Sequence, residues 1–535
     1  MVSVRQKKME KQAKQQVPAQ PFAFPAPVKG LVLNESRMSA TPGSARILDN
    51  WICRTDSIRC RGGFRKYAKI ASGPVVSMFT YRSGTTEKLF ASSAAAVFDI
   101  TTVVDADVIP TAEFSGQTSG YYSTANFGTT SGNYLYICNG DNSPRIYDGS
   151  TWTAVTGAST PAITGVTTSG LSQVWVYASR LWFVQKGTMK AWYLPVDSIG
   201  GAALSVSLAG VFKKGGSLLF GASWSLDAGD GLDDKCMFVS TEGEVAIYAG
   251  IDPSTSTTWA LQGVYEISPP LGINATMRAG GDILTATATG LVPVSEAIKR
   301  DVASLSLGAV SRRIEQYWQD QANDYITDAL PWEIERWPSE GIMIVTQPKA
   351  VNSGGTMLVA NLQTGAWSRF TGMDARCLSL FDGYVFFGSS DGFVYRMQES
   401  GSNDGLPYTC VYLGQHEQMG FMGEKTLAQM RPLFSSNVQI APQVSALVNY
   451  DEVTSPAPNA SMGSGTDGWD ISVWDVSLWD ASAAAVSESD SQWTAIGRTG
   501  HAIAPEVQIT IGETSLPVID LIGIEAMFRP GSQVA

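Results

Sequence analysis

The chain has 535 residues, of which 44% are hydrophobic and only 16% charged, and it contains 53 glycines. This composition is typical of a turn-dense all-β protein and excludes an intrinsically disordered chain. No apolar run approaches the roughly 20 residues that span a bilayer, and the first residues lack the apolar core of a signal peptide. We therefore expect no membrane-spanning segment and synthesis in the cytosol.

The net charge of −12 is distributed unevenly along the chain. Residues 1–69 contain fourteen Lys or Arg and four Asp or Glu, a balance of +10, so the remainder carries −22. Residues 1–16 are polar and lysine-rich without periodicity, which predicts a disordered basic arm. The stretch Pro18–Pro27 predicts a proline-rich extended linker. Residues 1–27 thus precede the first folded domain.

Residues 28–75 are expected to form the N-terminal part of a platform, with a short helix near Ala45–Leu48 followed by paired strands. A second basic cluster lies here, consisting of Arg54, Arg59, Arg61, Arg65, Lys66 and Lys69. Cations at this density are typical of a contact with nucleic acid or an acidic protein, or of a solvated face. We interpret this basic cluster as a candidate protein interface.

Seven aromatic-rich segments recur over most of the chain. Their starts are 46, 46, 56, 46, 60 and 42 residues apart, and they begin at Leu89, Leu135, Leu181, Met237, Ile283, Met343 and Val385. Each is a hydrophobic run, a Gly-, Asp- or Ser-rich turn and a second alternating run, which indicates a hairpin. Four-stranded propeller blades repeat at roughly 40–50 residues. Residues 76–400 are therefore predicted to form a β-propeller of six to eight blades, with ordinary β-sandwiches as the alternative.

One helix interrupts the predicted blades near residues 309–325. Ile314, Tyr317, Trp318 and Tyr325 lie on one face of it at helical spacing, a pattern typical of core packing. We expect this insertion to seal one side of the ring or to contact a neighbouring subunit.

Residues 401–535 are predicted to form a second β domain, which completes the platform. This part contains Trp469, Trp474 and Trp479, each followed by Asp. Successive tryptophans five residues apart would point to opposite faces of a flat strand, so short turns are expected between them. We interpret them as structural or interface aromatics, and carbohydrate binding is the alternative.

The sequence offers no convincing catalytic pair, cofactor motif or metal site. Six cysteines without CxxC spacing are expected to be reduced and mostly buried. His416 and His501 are the only histidines, too few for His-based zinc or Ser-His-Asp chemistry. The acidic loop Asp227–Asp234 is interpreted as a solvated turn, with a Ca²⁺ loop as the alternative. We expect a protein that is not an enzyme and holds no cofactor.

A set of short motifs is scattered over residues 28–430. In the N-terminal part these are Gly30-Leu31, Met38, Ala45–Trp51 and Arg61-Gly62-Gly63. Further along they include Arg180–Phe183, Trp192–Pro195, Phe212–Gly216, Gly243–Tyr248, Trp337-Pro338 and Thr364–Trp367. Together these motifs resemble the tail nozzle, or tail tubular, proteins of short-tailed bacteriophages. The resemblance does not extend to the basic arm or the far C-terminal part.

The resemblance implies a structural virion protein of the phage tail. It implies a ring of six copies, attached below the head–tail adaptor and near tail fibres or other tail proteins, whose lumen conducts genomic double-stranded DNA without sequence preference. An acidic wall suits that task because it repels phosphate. Two other functions remain open, a receptor- or carbohydrate-binding propeller and a propeller glycosidase, which needs two carboxylates about 5–10 Å apart.

Overall fold

A computed structural model of the chain describes residues 18–38, 41–225, 234–255, 257–328, 330–348, 355–438, 440–459, 487–488 and 492–531. Strands dominate these ranges, and they form a seven-bladed β-propeller with a β-rich platform made from both ends of the chain. The predicted fold class is confirmed. The described residues contain no helix that is both long and apolar enough to cross a membrane.

Five strands precede the first blade: β1 (Gln20–Pro25), β2 (Ala45–Asp49), β3 (Trp51–Cys53), β4 (Ile58–Cys60) and β5 (Phe64–Lys69). The helix predicted near Ala45–Leu48 is wrong, because this segment is strand β2. Its partner lies more than 360 residues away, at residues 411–414, where a local sequence pattern gives no sign of it. The proline-rich linker is also a strand, β1, paired with residues 523–528.

The first three blades follow in chain order. Their strands are β6 (Ser77–Ser83), β7 (Thr86–Ser92), β8 (Ala96–Asp99) and β9 (Ala112–Ser115); β10 (Ser123–Thr129), β11 (Gly132–Cys138), β12 (Arg145–Tyr147) and β13 (Trp152–Ala154); and β15 (Leu171–Tyr177), β16 (Arg180–Gln185), β17 (Lys190–Tyr193) and β19 (Leu204–Ser207). Two short strands, β14 (Ile163–Thr164) and β18 (Gly201–Ala202), pair with each other beside the third blade.

The remaining blades differ in how their outer side is finished. The fourth contains β20 (Leu218–Trp224), β21 (Lys235–Ser240), β22 (Glu244–Ala249) and β23 (Ala260–Glu266), and the fifth contains β24 (Thr276–Ala279), β25 (Asp282–Thr287) and β26 (Gly290–Pro293). Helices α1 (Val294–Lys299) and α2 (Glu315–Asp328) follow the fifth blade. The sixth contains β27 (Ile334–Trp337), β28 (Ile342–Gln347), β29 (Thr356–Asn361) and β30 (Trp367–Thr371), and the seventh contains β31 (Cys377–Phe381), β32 (Tyr384–Gly388) and β33 (Phe393–Met397).

Each of the seven recurring segments identified in the sequence begins within the second strand of a blade. The two long spacings have a structural cause. One contains the extended connections of the third blade, and the other contains α1 and α2. In the latter, Trp318 is fully buried and donates from Nε1 to the carbonyl of Thr287 at 2.8 Å, and Ile314, in the turn before α2, is also fully buried. These two residues of the predicted stripe therefore belong to the core, as expected.

The ring closes with a strand from the N-terminal region. Strand β5 pairs antiparallel with β33 and supplies the outer strand of the seventh blade. Residues 28–75 therefore do not all belong to the platform, which corrects the assignment made from the sequence. Closure is also visible in the core, because Cys377 and Phe386 of the seventh blade pack against Leu89 and Phe98 of the first.

The platform is completed by β34 (Tyr408–Gly414), β35 (Lys425–Ser436), β36 (Gln443–Val448), β37 (Ser487–Glu488), β38 (Thr494–Gly500), β39 (Ile503–Ile511) and β40 (Ile519–Pro530). One platform sheet runs β3-β4-β40-β35-β37, with β1 also on β40 and β38 also on β35. The other continues the sixth blade outward in the order β27-β28-β29-β30-β2-β34-β39-β36. Propeller and platform thus share one hydrogen-bonded sheet.

We expect the N-terminal strand to be essential for closing the ring. Ala68 on β5 is 1% exposed in the core between the seventh and first blades. In Ala68→Asp an unpaired carboxylate is buried there, which should lower the free energy of unfolding by about 3–5 kcal/mol. Thermal and urea unfolding measure this. The matched control is Arg65→Ser on an exposed site of the same strand, and equal stability of the two variants would contradict the closure role.

Candidate functional site

The residue that joins propeller and platform is Arg61, which is fully buried. Its Nε donates to Asn50 Oδ1 at 2.8 Å, Nη1 to Asn403 Oδ1 at 3.0 Å and to the Gly62 carbonyl at 2.9 Å, and Nη2 to the Thr371 carbonyl at 3.2 Å. No carboxylate among the described residues pairs with it. Burial lowers the pKa of Arg61 from its usual value, although the group remains a cation.

Two aromatic rings complete the surroundings of this guanidinium. Its central carbon lies 4.1 Å from the ring centre of Tyr408 and 5.7 Å from that of Phe370. Tyr408 is on the platform strand β34, and Phe370 is on β30 of the sixth blade. The Tyr408 hydroxyl also donates to the Arg61 carbonyl. One side chain is therefore held by the N-terminal region, the propeller and the platform together.

Asn50 is the second residue of this junction. Its φ of 65° lies in the left-handed region, where Asn is tolerated better than most residues. Its Nδ2 donates to Thr371 Oγ1 at 2.9 Å and to the Thr409 carbonyl at 2.7 Å, while Oδ1 accepts from the Thr371 backbone N–H at 2.9 Å. The side-chain amide of Asn50 therefore binds both Thr371 of blade six and Thr409 of the platform, which are distant from it in sequence.

Four of the five other members of the basic cluster have a carboxylate or an aromatic ring as a partner within the chain. Arg59 donates to both carboxylate oxygens of Asp520 at 2.8 Å, and Arg54 Nη2 lies 2.6 Å from Glu340 Oε2 of the sixth blade. Lys66 Nζ lies 3.4 Å from Asp404 Oδ2 and 4.8 Å from the ring centre of Phe393. Lys69 Nζ is 5.1 Å from the centre of the same ring. Arg65 is exposed, and the described residues show no ion pair for it.

The sequence-based interpretation of this cluster as one interface is therefore wrong for Arg61, because a fully buried side chain cannot contact another protein. Gly62 and Gly63 explain why the chain enters the interior here. A Cβ on Gly63 would lie 1.9 Å from the Ser402 carbonyl oxygen, so only glycine allows this approach. The sequence contains no sign that Arg61 is buried, because its composition does not distinguish one cation in a basic segment from the others.

We expect Arg61→Lys to lower the free energy of unfolding by about 3 kcal/mol, because lysine cannot reproduce the planar, multiply bonded and stacked geometry. Chemical denaturation followed by tryptophan fluorescence measures this. Arg65→Lys provides the matched control and should change stability by less than about 0.5 kcal/mol. A tolerated lysine at position 61 would show that the junction does not depend on guanidinium geometry.

An axial cavity of about 450 Å³ lies at the centre of the ring. Residues of the first strands of six blades line it, among them Met78, Ser123, Val174, Thr276, Ile334 and Leu378. Two carboxylates also line it, those of Glu333 and Glu335. The cavity is thus a polar, partly enclosed space between unpaired strand edges.

Glu333 fastens three blades to one another. It is 6% exposed, and its Oε1 accepts from Asn274 Nδ2 at 3.2 Å while Oε2 accepts from the Leu378 N–H at 3.0 Å. Desolvation by burial raises the pKa of Glu333 to about 7. The same cause raises the pKa of Glu335, two residues along, to about 7. Only the alternating Glu-Ile-Glu pattern signals these residues, and sequence analysis missed them.

The raised pKa of Glu333 predicts a stability change near neutral pH. A carboxyl whose folded pKa is raised contributes stability below its unfolded pKa of about 4.5 and loses that contribution as pH rises through about 7. Relative to wild type, Glu333→Gln should therefore gain stability between pH 5 and pH 8, by on the order of 3 kcal/mol. Urea unfolding across this range is the measurement, with exposed Glu113→Gln as control. A pH-independent difference would contradict the assignment.

The remaining candidates from the sequence are placed as follows. All six cysteines are free and buried. His501 is exposed, whereas His416 is 6% exposed and burial lowers its pKa to about 4. Within the described ranges, no three His, Cys, Asp or Glu side chains are grouped to hold a metal ion. Trp469, Trp474 and Trp479 lie outside the described residues, as does the acidic loop except Asp234.

No protein-family model matches the chain, and no curated protein matches it in sequence. Solved structures with some likeness include BamB from Moraxella catarrhalis, at 11% identity over 66% of this chain and 96% of that one, with a TM-score of 0.32. YCF48 from Cyanidioschyzon merolae has 9% identity over 63% and 98%, with a TM-score of 0.28. The computationally designed Ika8 protein has 12% identity over 62% and 99%, with a TM-score of 0.35. Likeness at this level carries no argument about function, and the fold rests on the strand pairing described above.

Proposed function

We propose that this chain is a non-enzymatic structural protein of a short-tailed phage virion, the tail nozzle, which assembles as a ring of six below the head–tail adaptor. Its lumen retains genomic DNA before infection and conducts it outward afterwards. The observation that carries the proposal is that four of the family-like motifs, at residues 30–31, 45–51, 61–63 and 364–367, meet at the junction between propeller and platform although they are distant in sequence.

The motif residues contact one another directly at this junction. Leu31 donates its N–H to the Trp367 carbonyl at 2.8 Å, and a Cβ on Gly30 would lie 2.4 Å from the same oxygen. Asn50 and Arg61, from two further motifs, are bonded to each other. Motifs that resemble one family and also meet at one buried site support a common architecture. The motifs between residues 180 and 248 lie in blades three and four instead.

The continuity of the junction suits a part that transmits force. Blade six and the platform belong to one sheet, and Arg369 of β30 donates to Asp49 of β2 at 2.6 and 3.0 Å. A flexible linker would allow the two bodies to move independently. A shared sheet with a buried cation and a bidentate ion pair resists such motion, as a ring under the pressure of packaged DNA requires.

The charge distribution supports passage of DNA. Several cations of residues 28–69 are paired with acids of the same chain, including Arg37 and Arg46 with Glu452. The acidic excess beyond residue 69 is thus only partly neutralised by the N-terminal region. An acidic wall repels phosphate, whereas a basic wall binds it through counterion release.

Electron microscopy of the purified chain and a DNA-binding measurement test this proposal. We expect a closed ring with an open lumen and no mobility shift of duplex DNA even at low salt, where charge attraction is strongest. Tight binding of duplex DNA by the wild-type ring, or a ring without a lumen, would refute a DNA conduit.

The propeller glycosidase remains a second candidate because Glu333 and Glu335 share the axial cavity. Alternate residues of a strand lie on one face, roughly 6.6 Å apart along it, within the range for such a carboxylate pair. Both oxygens of Glu333 are already bonded within the fold, which weakens this candidate. Hydrolysis of a polysaccharide panel, abolished in both Glu333→Gln and Glu335→Gln, would establish the enzyme instead.

A further inference from the structure

The outer edges of the blades are protected unequally. Strand β30 is covered by β2, the fifth blade is followed by α1 and α2, and β5 carries Arg65, Lys66 and Lys69. Charges and coverage of this kind prevent unwanted strand pairing. The outer strands β19 (LSVS) and β23 (ALQGVYE) of the third and fourth blades contain one charge between them, and both are largely exposed.

The apolar side chains of these two strands face the same interblade seam. Leu204 and Val206 are opposite Tyr193 and Ala191, and Leu261 and Val264 are opposite Tyr248 and Ala246. All four partners belong to the core between blades three and four. Leu204 is 52% exposed, Leu261 44% and Val264 39%, so an apolar outer seam formed by these residues faces solvent.

A loop of the first blade also exposes aliphatic side chains to solvent. Between β8 and β9, Val104 is fully exposed, Val108 is 61% exposed and Ile109 44%. The loop is held by its own turn, in which Asp105 Oδ1 accepts from the Asp107 N–H at 3.0 Å. Both aspartates are exposed, and no ion pair to either occurs in the part of the chain that the structure describes.

An unpaired cation lies near the seam. Lys213 is on the connection from β19 to the fourth blade, directly after Phe212, which belongs to the core between blades three and four. The side chain of Lys213 is exposed, and its ammonium group makes no ion pair within the described residues. The loop therefore presents aliphatic side chains with two carboxylates, and the seam presents aliphatic side chains beside an ammonium group.

We propose that the first-blade loop of one copy docks into the seam between the third and fourth blades of the next copy. This inference rests on the proposed function, since it supplies the contact from which its ring is built. A head-to-tail contact of two different patches is the kind that closes into a ring. Seven blades divide the circle into steps of about 51°, which puts the loop and the seam about 130° apart. A planar ring of six needs about 120° between the two contact directions of each copy.

The test uses a loop variant, Val104→Glu with Val108→Glu, and a seam variant, Leu261→Glu with Val264→Glu. These side chains are substantially exposed in the single chain, so folding should be preserved. Exposed Leu406→Glu with Met422→Glu in the platform is the matched control. Sedimentation velocity measures assembly, at a concentration where more than half of the wild type is in rings.

Each variant alone should remain monomeric, the control should form rings, and an equimolar mixture of the two variants should yield dimers. That mixture result is specific, because the loop variant retains an intact seam and the seam variant an intact loop. Rings from either variant alone, or no dimers in the mixture, would overturn the proposal. The ring of the proposed function would then have to use another surface.

Oxidative cross-linking covers the case in which the wild type stays monomeric at accessible concentrations. Val104→Cys combined with Leu261→Cys should give a ladder of disulfide-linked copies under a mild thiol oxidant, whereas either single variant should give none above dimer. The native cysteines are buried and should not contribute. Absence of a ladder would overturn the proposed contact between loop and seam. The proposed function as a tail nozzle is tested separately, by measuring DNA binding to the unassembled chain.

Discussion

The structure depends on a buried cation with neutral acceptors. Removing a guanidinium from water is costly, and the penalty is offset only if its donors are satisfied. Arg61 meets this condition through carbonyl and amide oxygens at residues 50, 62, 371 and 403, between the rings of Phe370 and Tyr408. These groups come from the N-terminal region, blade six, the end of blade seven and the platform. The cation is therefore satisfied only when all four are in place.

This requirement explains why the N-terminal region has two tasks. Strands β2 to β4 join the platform, and β5, directly after Arg61 and its two glycines, closes the ring on β33. The junction and the closure are thus only a few residues apart in the chain. Loosening one of them should loosen the other, which favours a single cooperative body over two hinged domains.

The charge asymmetry of the sequence has an internal use in this fold. The basic N-terminal region lies against acids contributed by distant parts of the chain, as in the bidentate pair of Arg59 with Asp520 and the pairs with Glu452. Exposed pairs of this kind add little stability individually. In each of these pairs the cation belongs to the N-terminal region and the acid to a later part of the chain. This consistent arrangement helps to fix the register in which the two ends of the chain pair.

The sequence by itself determined the propeller, because a hairpin repeat with a period near that of a blade is local information. The second strand of every blade follows from it. Separately, the helical spacing of hydrophobic residues predicted that Ile314, just before α2, and Trp318, within α2, are buried. The tertiary structure alone decided the rest, because long-range pairing has no local signature. Residues 45–49 form a strand because they pair with a partner more than 360 residues away, and the proline-rich stretch forms an edge strand on β40. Arg61 is buried and not part of the surface. The cavity carboxylates likewise became neighbours of other blades only once the ring had closed.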